Sequence, residues 1–214
     1  GGKTWSQWKN VQPGEENTQS RPYLIFDSNN NLNLFMYSSR ENDSQQIWHS
    51  VSADQGETWN DWTKVSDGLG DSRHASATLM GSKILTAWRS EFNSKSQIYF
   101  SIYSENNWSK PELVMQNDNY QFFPVVGTNK NNDVAVTWME NSDNSEFPRD
   151  DPENSKGYFA AYDKSTNKFK DKILIGENIY YPHLPVKNLY DNNFYVAYEE
   201  GQNKNFEIRL LTIN

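Results

Sequence analysis

Apolar residues in this chain recur in short alternating runs, not at helical spacing. Four runs end on an aromatic: Leu34-Phe35-Met36-Tyr37, Ile84-Leu85-Thr86-Ala87-Trp88, Val134-Ala135-Val136-Thr137-Trp138 and Phe194-Tyr195-Val196-Ala197-Tyr198. Each follows a turn rich in Gly, Asn or Asp, and before that a short segment such as Arg21–Phe26 or Phe123–Val126. The first three are followed by an alternating run, at 46–52, 97–103 and 157–162, and then by a segment opening on Trp59, Trp108 or Phe169. Period-two alternation punctuated by turn residues predicts strands throughout, and no stretch carries a helical pattern.

The units repeat about every 50 residues with four strands each, the arrangement expected of propeller blades. The fold class is therefore all-β, a β-propeller of four-stranded antiparallel blades, most simply four of them in one domain spanning 1–214. Blades are expected at about 21–66, 73–115, 122–175, and 181–214 together with 4–12. The last pairing follows because the fourth unit stops after the run 206–213, while Gly1-Gly2-Lys3-Thr4-Trp5-Ser6-Gln7-Trp8 aligns with Gln55–Trp62. N- and C-terminal strands sharing one blade would close the ring and remove two sheet edges. A closed ring predicts a monomer, and a half-ring predicts a dimer. A fragment of a larger propeller, or an engineered repeat, is the alternative.

Composition narrows the partners. The net charge is −8 and Lys and Arg form no cluster, so neither nucleic acid nor a membrane surface is an expected partner. The absence of cysteine removes disulfides, thiolate metal sites and a cysteine nucleophile. Aromatic residues make up 14% of a chain only 35% hydrophobic, so area is buried through few, large side chains. The compartment is left open, with the exterior or surface of a bacterium the expected setting. No cofactor is called for. The irregular stretch 141–155 carries Asp143, Glu146, Asp150, Asp151 and Glu153, carboxylates able to ligate Ca²⁺, but it lacks an EF-hand spacing and reads better as a solvated acidic loop.

Ser52-Ala53-Asp54-Gln55-Gly56-Glu57-Thr58-Trp59 fits S-x-D-x-G-x-T-W at every defined position. The aspartate hydrogen-bonds amides of its own turn, the glycine permits a left-handed residue, and the tryptophan packs the turn onto its neighbours. Ser52, Asp54, Gly56, Thr58 and Trp59 thus have structural roles. In this motif the chain resembles the sialidase-like, Asp-box (BNR-repeat) propeller superfamily. That resemblance implies a turn between the third and fourth strands of a blade, on the rim away from the ligand face.

Propellers bind ligands at the axial mouth, so residues after the aligned aromatics are candidates: Arg40 beyond Tyr37, Arg89 after Trp88, Glu140 after Trp138, Glu199 and Glu200 after Tyr198. The inner strands open on Arg21-Pro22, Arg73-His74 and Tyr181-Pro182-His183. Within the resemblance, Arg21-Pro22 matches the Arg and Pro of the first sialidase motif, whereas Ser20 and Tyr23 depart from it. Arg40 stands near that family's second arginine and Asp43 near its acid/base aspartate, each offset by a residue or two. An arginine fork accepts both oxygens of a sugar carboxylate. The substrate-binding set is therefore Arg21, Arg40, Arg73, Arg89, Trp88, Trp138 and Glu140, with Asp43 the catalytic candidate.

Each has a plainer reading. The arginines also suit ion pairs between blades, Trp88 and Trp138 suit packing, and the glutamates suit chance proximity among 28 acidic residues. The leading functional reading is a lectin-like module binding acidic or sialylated glycans through arginines and aromatics. The alternatives are a glycoside hydrolase of sialidase type and a protein-interaction scaffold.

Overall fold

A computed structural model describes residues 4–11, 19–39, 44–142, 155–202 and 205–214. Every regular element in it is a β-strand, and the strands form four antiparallel sheets in chain order. The first sheet holds β1 (Gln19–Phe26), β2 (Leu32–Ser38), β3 (Gln46–Ser52) and β4 (Thr63–Lys64). The second holds β5 (Asp71–Met80), β6 (Lys83–Phe92), β7 (Lys95–Ser104), β8 (Asn107–Trp108) and β9 (Glu112–Leu113). The third holds β10 (Tyr120–Thr128), β11 (Val134–Asn141), β12 (Lys156–Asp163), β13 (Lys168–Phe169) and β14 (Ile173–Glu177). The fourth has three strands, β15 (Ile179–His183), β16 (Phe194–Gln202) and β17 (Asn205–Ile213).

The core lies between consecutive sheets. Ile25 and Phe35 meet Ala77 and Ile84 between the first two. Leu85, Ile98 and Phe100 meet Val126, Val136 and Ala160 between the second and third. Phe159 and Ile175 meet Ile179, Leu184 and Phe194 between the third and fourth. A middle strand is therefore buried on both faces: all eight residues of β11 are buried, the polar Thr137, Glu140 and Asn141 among them. Gly157 marks the tightest approach, since a Cβ there would sit 1.8 Å from Ile179 Cδ1.

The Ser52–Trp59 turn is built as its residue types demand. Asp54 Oδ1 accepts from the Thr58 amide at 2.8 Å, and the Ser52 hydroxyl accepts from the Gly56 amide at 2.8 Å. Gln55 and Gly56 both take positive φ. Three hydrogen bonds, the shortest from the Thr58 hydroxyl, hold the Asp54 carboxyl at a pKa of about 2.

Among the described residues, the expected pairing of the N-terminal segment with the last strand is not seen. Residues 4–11 form no strand, and among the described residues β17 pairs with β16 alone. Instead Trp8 and Val11 lie beside Pro22, Leu34 and Met36 of the first sheet, around a cavity of about 400 Å³. Lys9 pairs with Glu57 on the same side.

Candidate functional site

Each innermost strand carries one irregularity at the same place. The β-ladder register shifts between Ser20 and Tyr23, Arg73 and Ser76, Phe122 and Val125, and Tyr180 and His183. Within each bulge one non-glycine residue has positive φ: Arg21 (48°), His74 (60°), Phe123 (52°) and Tyr181 (44°). Such backbone costs on the order of 1–3 kcal/mol per residue and collects at functional sites. All four residues line one cavity of about 350 Å³, to which each sheet contributes.

The wall is aromatic. Phe123 stacks on His74 at 5.1 Å between centroids and meets Tyr181 edge-on at 4.8 Å. Tyr37 meets the other side of His74 at 6.1 Å. Arg21 is exposed at the edge of the cavity, and no described residue gives its guanidinium a hydrogen bond or counter-ion. Burial, and then the positive charge of Arg21, lower the His74 pKa to about 3, so this imidazole is neutral at physiological pH. Its Nδ1 is buried without a partner among the described residues. No carboxylate lines the cavity among those residues. The resulting site is monocationic, aromatic-walled and concave, suited to an anionic ring with an apolar face.

Among the described residues, Arg21 is thus the one expected binding residue that lines the cavity. Arg73 is displaced by the bulge: His74 takes the place equivalent to Arg21, and Arg73 forks onto Asp71 at 2.9 and 2.7 Å. Arg89 is buried, donating to Ser96 at 2.8 Å and Glu91 at 2.6 Å. Trp88 and Trp138 are wholly buried between sheets, which corrects their assignment to ligand stacking. Glu140 is buried too, where it accepts from the Trp138 indole at 2.9 Å and Lys172 at 2.6 Å, with Asn119 and Gln121 completing the cluster. Its carboxylate is fully engaged in fastening the third sheet. Arg40 and Asp43, and the Ca²⁺ candidates Asp143, Glu146, Asp150 and Asp151, lie outside the described residues. The described residues contain no group of three or more His, Asp or Glu placed to hold a metal.

The residues missed in the sequence are His74, Phe123 and Tyr181. Their signal was the X-Pro pair: Arg21-Pro22, Phe123-Pro124 and Tyr181-Pro182 stand at equivalent bulges, and only the second sheet, with His74-Ala75, breaks the series.

Solved structures resemble this arrangement. The Hadza microbial sialidase Hz136 superposes with a TM-score of 0.67 at 10% identity, over 90% of this chain and 44% of that one. An ulvan lyase of polysaccharide lyase family PL25 gives 0.63 at 11% identity, over 90% and 52%. The Trypanosoma rangeli sialidase in complex with the inhibitor DANA gives 0.60 at 11% identity, over 92% and 36%. In fold, the four antiparallel sheets of this chain are propeller-like, as in these proteins. The chain spans about half of their length or less. No protein-family model matches the chain, and no curated protein does.

Proposed function

We propose that this propeller binds an acidic glycan at the axial cavity, with the Arg21 guanidinium taking the sugar carboxylate and the Phe123 and Tyr181 rings lining its apolar face. The observation that carries this reading is an exposed arginine on an aromatic-walled cavity, with neither an ion-pair partner nor a lining carboxylate among the described residues. It is supported by the bulge that recurs in all four inner strands, and by solved structures of the same fold whose names are those of a sialidase and a polysaccharide lyase. The Ser52–Trp59 turn is read as an Asp-box, with a rim role remote from this cavity.

Saturation-transfer NMR with sialylated, uronate-bearing and neutral oligosaccharides tests the reading. Acidic sugars should receive saturation and neutral ones much less. Arg21→Ala should weaken binding at least tenfold, equivalent to ~1.4 kcal/mol for the lost charge-assisted contact. Equal saturation of neutral and acidic sugars would overturn it. The same tubes report turnover. New anomeric signals that vanish with Asp43→Ala would make the protein a hydrolase with Asp43 as its acid/base.

A further inference from the structure

Equivalent positions in the four sheets are fixed by the bulge, because the pair preceding it is Ser20–Tyr37, Arg73–Arg89, Phe122–Met139 and Tyr180–Glu199 in turn. Counting across the next strand, Ile47 and His49 of β3 match Ile98 and Phe100 of β7, Gly157 and Phe159 of β12, and Ile208 and Leu210 of β17. In the first three sheets these positions form the forward face of a joint. Ile47 packs with Trp88, Ile98 and Phe100 with Val126 and Val136, and Phe159 with Ile179 and Leu184. In the fourth sheet the same positions are bare: Ile208 is 74% exposed and Leu210 71%. The neighbouring Phe206 is exposed as well.

The rear face of the joint is open in part at the other end, where Met36, at the position of Trp88, is already buried. Leu24, paired with Leu34, matches Ala77 with Thr86 and Val126 with Val136, which are buried against the preceding sheet. In the first sheet Leu24 is 53% exposed, and Phe26 two residues on is 58% exposed. The two ends therefore carry complementary halves of one apolar joint, each made like the three joints already closed. Residues 4–11 lie beside the open rear face. Their Trp5-x-x-Trp8-x-x-Val11 repeats Trp59-x-x-Trp62-x-x-Val65, the segment that runs along the outer edge of β3, where the Val65 amide donates to the Ile47 carbonyl at 2.8 Å. The outer edge of β17 has no such strand among the described residues.

We infer that two copies of this chain associate head to tail. The forward face of β17 in one copy packs on the Leu24/Phe26 face of the other, and residues 4–11 of that second copy run along the free edge of β17. Such an interface joins unlike surfaces and forms a closed two-fold ring once both joints are made. Twice four sheets reaches the upper end of the usual range of about 4–8 blades. Burying both stripes removes exposed apolar surface and an open strand edge together.

Sedimentation velocity with light scattering, on the 214-residue chain over a concentration series, tests this. The expected species has twice the 24.9 kDa chain mass. Ile208→Asp with Leu210→Asp should raise the dissociation constant about 100-fold or more, since a charge would be buried unpaired in the joint. Leu24→Asp should do the same, and mixing the two variants should restore a heterodimer through the one joint left intact. Circular dichroism confirms that each variant is folded, and Ile208→Ser with Leu210→Ser replaces the aspartates if it is not. A monomer at every concentration would overturn the proposal. So would a dimer that Leu24→Asp leaves unchanged, because it would pair like faces.

Discussion

His49 and His74 are buried imidazoles whose titration links pH to stability. His49 accepts from the Trp108 indole at Nδ1 (3.3 Å) and faces Asn33 Oδ1 through Nε2 (2.9 Å), so its place between sheets requires the neutral ring. Burial lowers its pKa to about 3, and burial with Arg21 does the same for His74. In both cases the folded value lies below the unfolded 6.5. Their contribution to stability is therefore complete above about pH 6.5 and is lost as pH falls towards 3, with a slope of up to ~1.4 kcal/mol per pH unit for each. Urea unfolding at pH 7, 5.5 and 4.5 should show this decline, and His49→Gln should make it shallower. A stability unchanged between pH 7 and 4.5 would contradict the burial of these rings. Burial is also what the sequence reading lacked for Trp88 and Trp138. Both faces of a middle strand are covered here, so alternation alone does not separate a packed tryptophan from an exposed one.

At the level of the element, the bulge decides which side chain reaches the cavity shared by the four sheets. Strand periodicity and turn chemistry were legible: the aligned aromatic runs became β2, β6, β11 and β16, and the Ser52–Trp59 turn has the hydrogen bonds its residues imply. The bulge was not legible in the alternation, where one extra residue leaves no mark; its trace was the X-Pro pair, which the second sheet lacks, and there it moved the position from Arg73 to His74. Its strain gives a test. Arg21 holds φ at +48° with an exposed side chain, so Arg21→Gly relieves the left-handed backbone while adding chain entropy to the unfolded state. The variant should match the wild type in stability or exceed it by up to ~1 kcal/mol. Its affinity for acidic sugars should be lost as fully as in Arg21→Ala. A clear loss of stability would mean that the side chain, and not the glycine-like backbone, holds the bulge.

Across the whole molecule, cover is uneven, and the repeat already visible in the sequence explains why. Among the described residues the apolar clusters join sheets that are neighbours in chain order, so stability is built largely from intrinsic sheet terms plus joints, as in other repeat architectures. The second and third sheets have joints on both faces, whereas the first leaves Leu24 and Phe26 exposed and the fourth Ile208 and Leu210. The four units and their order were readable from the 50-residue period. Closure was not, because it depends on where residues 4–11 lie relative to β17, a contact that no local pattern encodes. Native-state hydrogen exchange resolves this hierarchy. At concentrations below association, amides of β6, β7, β10 and β11 should exchange slowest, with those of β17 at least about tenfold faster, because an end sheet opens without breaking an inner joint. Raising the protein concentration should then slow β17 and β1 together and leave β6 and β11 unchanged, since only the end faces gain a partner. Uniform protection of all four sheets at high dilution would instead mean that the ring closes within one chain.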